Sequence, residues 1–474
     1  MNHDRNAMDT SPAALDTLVV GAGISGLATA FGLARRGHAV EVLDAGSKPG
    51  GVIGSVRHEG ALYETGPNSA LDTTPLIGEL IAAAGVGAER LAASASADTR
   101  FVVKNGRPVA LPMSPGAILA TPLFSPLAKA RLALEPFIPR QPADREEVIA
   151  HFVRRRLGRE FLDYAIEPFV AGIYAGDPER LSVPAAFPKL HALEQRYGSL
   201  LVGAVLGARQ RRKRAETAKN TAKSFSFRGG MQVLTDALAR GVGRVTLEAR
   251  VVSVSRLSDG SFLVVYDKDG ETLTRHARSV VLAVPAGEAA RLAYPLAPEA
   301  TLALQEIEYP PVTVVATAYH REDVTHPLDG FGFLAPRVEH RAVLGTLFSS
   351  SMFDGRAPEG QVLLTSFVGG RRNPELALAE DATIFGKIAA EHRSLLGVRA
   401  PALWNALTRW PRAIPQYGPG HLDRIAHVAN AERAVPGLRF CANYRGGVSA
   451  GDCIASAHAT AESLGAWLKA PVTA

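Results

Sequence analysis

The sequence predicts an α/β fold, with α and β mixed in its later part, on three observations. Residues 17–21 (TLVVG) form an apolar, β-rich run stopped by a glycine. Gly21, Gly23 and Gly26 then open a segment of helical apolar spacing over 27–36, which leads to a second apolar run, 38–44, ending in Asp44. Near the other end, a strand-like run, a glycine-rich turn and a helical pattern recur over 437–468.

Each element has a physical reason. A run that is apolar on both faces suits a strand buried in a parallel sheet. Glycines at the first turn let backbone approach a pyrophosphate, and the helix start offers unpaired N–H groups at the positive end of its dipole. Asp44, at the end of the second strand, is placed for ribose hydroxyls. Strand, glycine turn, helix and strand-plus-acid together point to a dinucleotide site; the competing reading is glycines that only pack helix on sheet. Gly50 and Gly51 follow closely, with 64–68 (ETGPN) downstream. A second glycine pair fits backbone wrapping one extended cofactor, against the alternative of an ordinary glycine-rich turn.

Composition bounds the rest. The 474 residues are 47% hydrophobic and 21% charged, so the chain is long and apolar enough for two or three folded domains rather than a disordered or fibrous protein. A net charge of +6 proposes no nucleic-acid partner, and no zinc-finger spacing or RNP-like motif accompanies the arginines. Two cysteines, Cys441 and Cys453, build neither a disulfide framework nor a four-thiolate metal site, so no metal is expected. The N-terminal lead lacks an apolar core, so the expectation is a cytoplasmic protein.

Residues 70–219 read as mainly helical. They hold the basic clusters Arg154–Arg156 and Arg209–Arg214, and an uncharged stretch, 108–128, broken by five prolines. Proline at that density opposes a spanning helix. The stretch is either buried loop and short helix or a surface that dips into one leaflet. The clusters are either solvated helix faces or contacts to anionic lipid. Strand patterns return over 244–284, then in a mixed region from Tyr309 to Gly370, followed by helix over 374–396.

Several blocks carry a family resemblance: 20–27 (VGAGISGL), 66–69 (GPNS), 167–178 (EPFVAGIYAGDP), 225–231 (FSFRGGM), 344–350 (LGTLFSS), 367–370 (FVGG) and 443–448 (NYRGGV). On these the chain resembles the flavin-dependent amine oxidase superfamily and, within it, the oxygen-dependent protoporphyrinogen oxidases; the blocks around Tyr174 and Phe348 carry the narrower likeness. The resemblance implies a Rossmann-like FAD-binding domain of the p-hydroxybenzoate hydroxylase type, assembled from 1–90, 220–290 and 425–474. It also implies a mainly helical, membrane-associating insertion at 91–219 and a mixed-sheet substrate domain at 291–424.

It further implies one FAD per chain, held noncovalently. Gly21, Gly23 and Gly26, with Ile24 and Ser25, would meet the pyrophosphate, and Asp44 with Ala45 the ribose. Gly50 and Gly51 would lie on the isoalloxazine side with Gly66, Pro67 and Asn68, Val251 on the adenine side, and Val448 in the turn by the flavin ring. Asp44 and Lys48 stand where most members have Glu and Arg, which keeps the charge.

The implied reaction is six-electron oxidation of protoporphyrinogen IX to protoporphyrin IX in haem biosynthesis, in three hydride-type steps to flavin N5, with O2 as acceptor and H2O2 as product. No protein group is a certain catalyst; position, an apolar slot and carboxylate anchors are what the chain must supply. Arg100 matches the arginine that faces a propionate, against a surface ion pair. Asn68 and Gly172 match positions beside the macrocycle. Phe331, Leu334 and Phe348 are chosen as apolar walls, against ordinary core packing. The expected setting is peripheral, on the inner face of a membrane, with a homodimer left open. Coproporphyrinogen III is the alternative substrate. An amine oxidase is less favoured because no lysine occurs from Asp269 through Gly386, where its flavin-side lysine would fall. A flavin-binding assembly factor without turnover is a further alternative.

Overall fold

The computed structural model describes residues 15–142, 145–213 and 222–470. The N-terminal lead, and the side chains of the 209–214 cluster, lie outside what is described.

The predicted βαβ unit forms the centre of a seven-stranded sheet. Leu15–Val20 runs parallel to Val40–Leu43 on one side and to Glu271–Leu282 on the other. Val245–Thr246 extends the first side, and the hairpin strands Phe262–Lys268 and Arg250–Arg256 extend the second. Leu438–Phe440 adds in parallel to Glu271–Leu282, so the chain's last third returns to its first sheet. Leu18 and Val19 are fully buried, as a strand covered on both faces requires. Helices Ile24–Ala34, Gln232–Val242 and Ala450–Lys469 pack on one face through Leu27, Leu234, Ala457 and Leu464.

A second seven-stranded sheet runs in the order Trp404–Trp410, Val312–His320, Gln361–Gly369, Val343–Leu347, Gly332–Leu334, Arg100–Lys104, Arg107–Ala110. The helix Asp381–Leu396 covers its back face through Ile384 and Ile388.

The structure draws the domain boundaries differently from the sequence expectation. Arg100–Lys104 pairs in parallel with Gly332–Leu334, so 100–110 belongs to the second sheet and not to the helical insertion. Helices Ala286–Ala293 and Pro298–Gln305 bury Ala289, Ala290, Leu292 and Leu304 in the core of the first sheet, so the substrate domain begins near Tyr309 and not at 291. His421–Ala434 joins that same core through Val428 and Ala431.

The insertion is a cluster of short helices. Ser114 and Ser125 cap Pro115–Ala120 and Pro126–Ala133, each with proline in the first turn. The prolines of 108–128 therefore start helices as well as break them. Leu123 and Phe124 are buried, as the loop-and-short-helix reading expects, whereas Leu119 and Leu127 are 72% and 80% exposed. At the centre, Arg156 is fully buried, paired with Glu135 at 3.1 Å and Glu194 at 2.6 Å, and it donates to the carbonyls of Ile138 and Gly198. Arg154 and Arg155 pair with Glu179, Glu147 and Glu194, so this cluster is internally neutralised.

Candidate functional site

Gly21 ends the first strand at φ +107, where a Cβ would fall 2.5 Å from the Ala283 carbonyl oxygen. At Gly26 it would meet the Gly21 oxygen at 1.9 Å. These two glycines let helix and sheet approach each other. Gly23 differs: no atom lies within 4 Å of its Cβ position, and the helix Ile24–Ala34 begins there with no side-chain cap. Open space before uncapped N–H groups at a helix start, which includes Ile24 and Ser25, suits a phosphate.

Beside it opens a cavity of about 350 Å³ lined by Gly21, Asp44, Ala45, Val251 and Glu288, among others. The Asp44 carboxylate accepts the N–H groups of Ala22 and Gly46, both at 2.6 Å, and each oxygen keeps a lone pair for a hydroxyl. Lys48 is exposed and outside this lining. Gly50 forms a parallel bridge with Gly23, and a Cβ on Gly51 would stand 3.2 Å from the Gly23 Cα. Backbone thus continues from the phosphate end towards Gly66, where a Cβ would meet the Val52 oxygen at 2.1 Å, and on to Pro67 and Asn68. Asn68 is buried, and its Oδ1 accepts from Ser349 Oγ at 3.3 Å; Ser349 in turn shares a 2.8 Å hydrogen bond with Thr365. Val448, in the glycine turn before the last helix, is half-buried and packs on the helical insertion. The open space at Gly23, the cavity beside Asp44 and the run of close-approach glycines fit an extended dinucleotide.

Facing Asn68 is the front of the second sheet. Leu334 pairs with Gly345, Leu347 with Thr365 and Gly345 with Phe367, so Leu334, Leu347, Phe367 and Thr365 share one face. Leu334, Leu347 and Phe367 are half-buried. The Gly172 Cβ position is 2.9 Å from Leu334 Cδ2, which places the helix Glu167–Tyr174 over this face. Arg100 lies at its edge with Cζ 5.3 Å from the Phe331 ring centroid. Burial pulls the Arg100 pKa down, and only Asp98 opposes this; no carboxylate is within ion-pair distance among the described residues.

Phe348 requires a correction. It lies on the opposite face with Phe333 and Thr346, fully buried against Phe101, His326 and Phe333, so it is core and not a wall of the slot. Leu347 and Phe367 take that place; strand alternation through 343–347 and 361–369 was the signal that could have found them.

Fold and site define a flavin-dependent oxidoreductase. The chain belongs to the flavin containing amine oxidoreductase family, whose pattern matches residues 24–464, and within it to the protoporphyrinogen oxidase group. It is 33% identical to protoporphyrinogen oxidase 2 of Arabidopsis thaliana, over 95% of this chain and 94% of that one. It is 31% identical to coproporphyrinogen III oxidase of Propionibacterium freudenreichii subsp. freudenreichii, over 94% and 90%. A crystal structure from Exiguobacterium sp. 255-15 superposes with TM-score 0.79 over 95% of this chain and 98% of that one; at 24% identity it shows the shared fold.

Proposed function

We propose that the chain oxidises protoporphyrinogen IX to protoporphyrin IX with one noncovalently held FAD. The observation that carries this is the half-buried apolar face of Leu334, Leu347 and Phe367, edged by a desolvated guanidinium, Arg100, that has no carboxylate within ion-pair distance among the described residues. An apolar macrocycle with peripheral carboxylates is complementary to both. FAD, when bound, supplies a two-electron acceptor used three times per macrocycle and restored by O2 with release of H2O2. The chain's own residues orient and enclose: Arg100 holds a carboxylate, Gly172 lets the roofing helix close onto Leu334 at one end of the slot, and Asn68 ties the flavin-side loop to the sheet through Ser349. Noncovalent binding is supported by both cysteines being buried, with the Cys441 thiol engaged by Thr29 at 3.5 Å.

Coproporphyrinogen III is the second reading, favoured by the 31% identical relative. It carries four carboxylates to the two of protoporphyrinogen IX, and Arg100, which has no ion-pair partner among the described residues, suits the smaller number. Aerobic turnover tests the proposal: porphyrin fluorescence should rise with three H2O2 per porphyrin. No fluorescence with protoporphyrinogen, but turnover with coproporphyrinogen, would install the second reading.

We also propose that the insertion rests on an anionic membrane surface on the cytoplasmic side. Leu119, Leu127, Phe137 and Val205 are large, apolar and highly exposed on helices of the insertion. Among the described residues no helix is long and apolar enough to cross a membrane, so the contact would be peripheral. Co-sedimentation with anionic vesicles that weakens with salt is expected; no binding at low salt overturns it.

A further inference from the structure

Tyr417 and His421 sit where the first sheet, the second sheet and the insertion meet. The Tyr417 hydroxyl donates to the Asn443 carbonyl at 2.6 Å and accepts from the Gly447 N–H at 3.1 Å. One oxygen therefore spans both arms of the turn that precedes the last helix. Gly446 and Gly447 adopt φ +82 and +124, so the turn has no side chain there to anchor it. The Tyr417 ring stacks on His421 at 4.0 Å and 15°, and His421 Nε2 bonds the Tyr444 carbonyl at 3.0 Å, a further hold on the same turn.

The other side of Tyr417 faces the slot's roof. Its ring meets Tyr174 edge-on at 5.8 Å, and Gln416 Nε2 donates to the Tyr174 carbonyl at 2.8 Å. Tyr174 ends the helix that carries Gly172 against Leu334. The Tyr417 carbonyl accepts from Ser182 in the insertion, and the Gln416 N–H donates to Glu308 beside the second sheet. All four aromatic or imidazole groups, Tyr174, Tyr417, His421 and Tyr444, are buried. Burial raises the Tyr417 phenol pKa far above neutrality, so the proton needed for the bond to Asn443 stays in place.

We propose that Tyr417, backed by His421, is a positioning residue that fixes the 443–448 turn relative to the helix roofing the slot, and so sets how the flavin ring meets the substrate. This rests on the reading that the ring lies at that turn. Hydride-type transfer is sensitive to small displacements, so a shared support for turn and roof is a rate device as well as a structural one.

The test is Tyr417→Phe in the holoenzyme, beside Tyr319→Phe, which loses a buried hydroxyl bonded to His392 on the back of the second sheet, away from the turn. Tyr417→Phe should keep flavin at the wild-type stoichiometry but change its visible band shape and midpoint potential. It should lower kcat by roughly tenfold while KM for protoporphyrinogen stays within about twofold. Tyr319→Phe should lower Tm and leave the flavin spectrum and potential unchanged. If Tyr417→Phe shows only the lower Tm, the proposal is overturned. Should that variant give no folded holoenzyme, His421→Phe, which keeps a ring under Tyr417 but frees the Tyr444 carbonyl, must change the same spectrum; a wild-type spectrum there also overturns it. A wild-type protein without flavin or without porphyrinogen turnover would instead remove the underlying reading.

Discussion

Arg100 stands over Phe331 with its guanidinium carbon 5.3 Å from the ring centroid, held there because residues 100–102 pair in parallel with 332–334. A planar cation on an aromatic face, with no hydrogen bond or ion pair to its N–H groups among the described residues, is prepared for a carboxylate. Arg100→Ala should raise KM for protoporphyrinogen roughly tenfold or more, as loss of a charged hydrogen bond worth about 1.5–3 kcal/mol requires. Arg100→Lys should recover only part of this. Unchanged steady-state kinetics in Arg100→Ala would show that the anchor lies elsewhere.

Gly172 packs directly against Leu334. Gly172→Leu places a side chain where the Cβ alone already comes within 2.9 Å of Leu334 Cδ2. Flavin content should stay at the wild-type level while KM rises or turnover is lost. A variant that instead loses flavin would contradict the assignment of Gly172 to the substrate side.

Gly23 offers the opposite test. Its Cβ position is open and its φ is −69, so Gly23→Ala meets neither clash nor backbone strain in the protein itself. The apo chain should fold, with Tm close to that of wild-type apoprotein, yet purify with little yellow chromophore. Full flavin occupancy would remove Gly23 from the phosphate site.

The first sheet's βαβ unit and its glycines were legible because their meaning is local: a strand, a turn and a helix within thirty residues, with Asp44 at the expected end. The domain boundaries were not. Nothing near Arg100 announces that its strand pairs with Gly332, more than two hundred residues on. Alanine-rich segments at 286–293 and 298–305 show a helical face without naming the sheet that buries it. Phe348 was misplaced for a related reason. A strand puts neighbours on opposite faces, and only its register with Phe333 and Phe367 tells which face meets the flavin domain. Tyr417 passed unnoticed because its partners, Asn443 and Gly447, are backbone atoms that carry no sequence signature.

Arg156 organises the insertion from a fully buried position with Glu135 and Glu194. Removing one member leaves buried charge without compensation, which typically costs about 3–5 kcal/mol. Arg156→Met should lower stability by that order in urea unfolding and loosen vesicle binding by disordering the exposed short helices. A variant as stable as wild type would mean that the site relaxes by admitting water.

His392 gives a pH dependence with a defined sign. Burial holds its pKa down to about 3 in the folded chain, where Tyr319 and Ser366 bond its two ring nitrogens. Unfolded, the ring titrates near pH ~6.5. As pH falls from about 6.5 towards 3 the unfolded chain takes up a proton that the folded chain refuses, so stability falls with pH across that window. His421, held by burial at about 4, acts in the same direction. His392→Gln should flatten the slope between pH 7 and 5 without abolishing it, measured by urea midpoints; an unaltered slope would show that His392 does not control it.

Under the proposed function the apolar face beside Asn68, edged by Arg100, presents protoporphyrinogen to a flavin. Anaerobic stopped-flow mixing with protoporphyrinogen and coproporphyrinogen in parallel tests it most directly, because flavin bleaching reports substrate oxidation before O2 enters. Rapid bleaching by protoporphyrinogen, slower bleaching by coproporphyrinogen, and loss of the fast phase at low substrate in Arg100→Ala are expected. A flavin that stays oxidised with both porphyrinogens would contradict it.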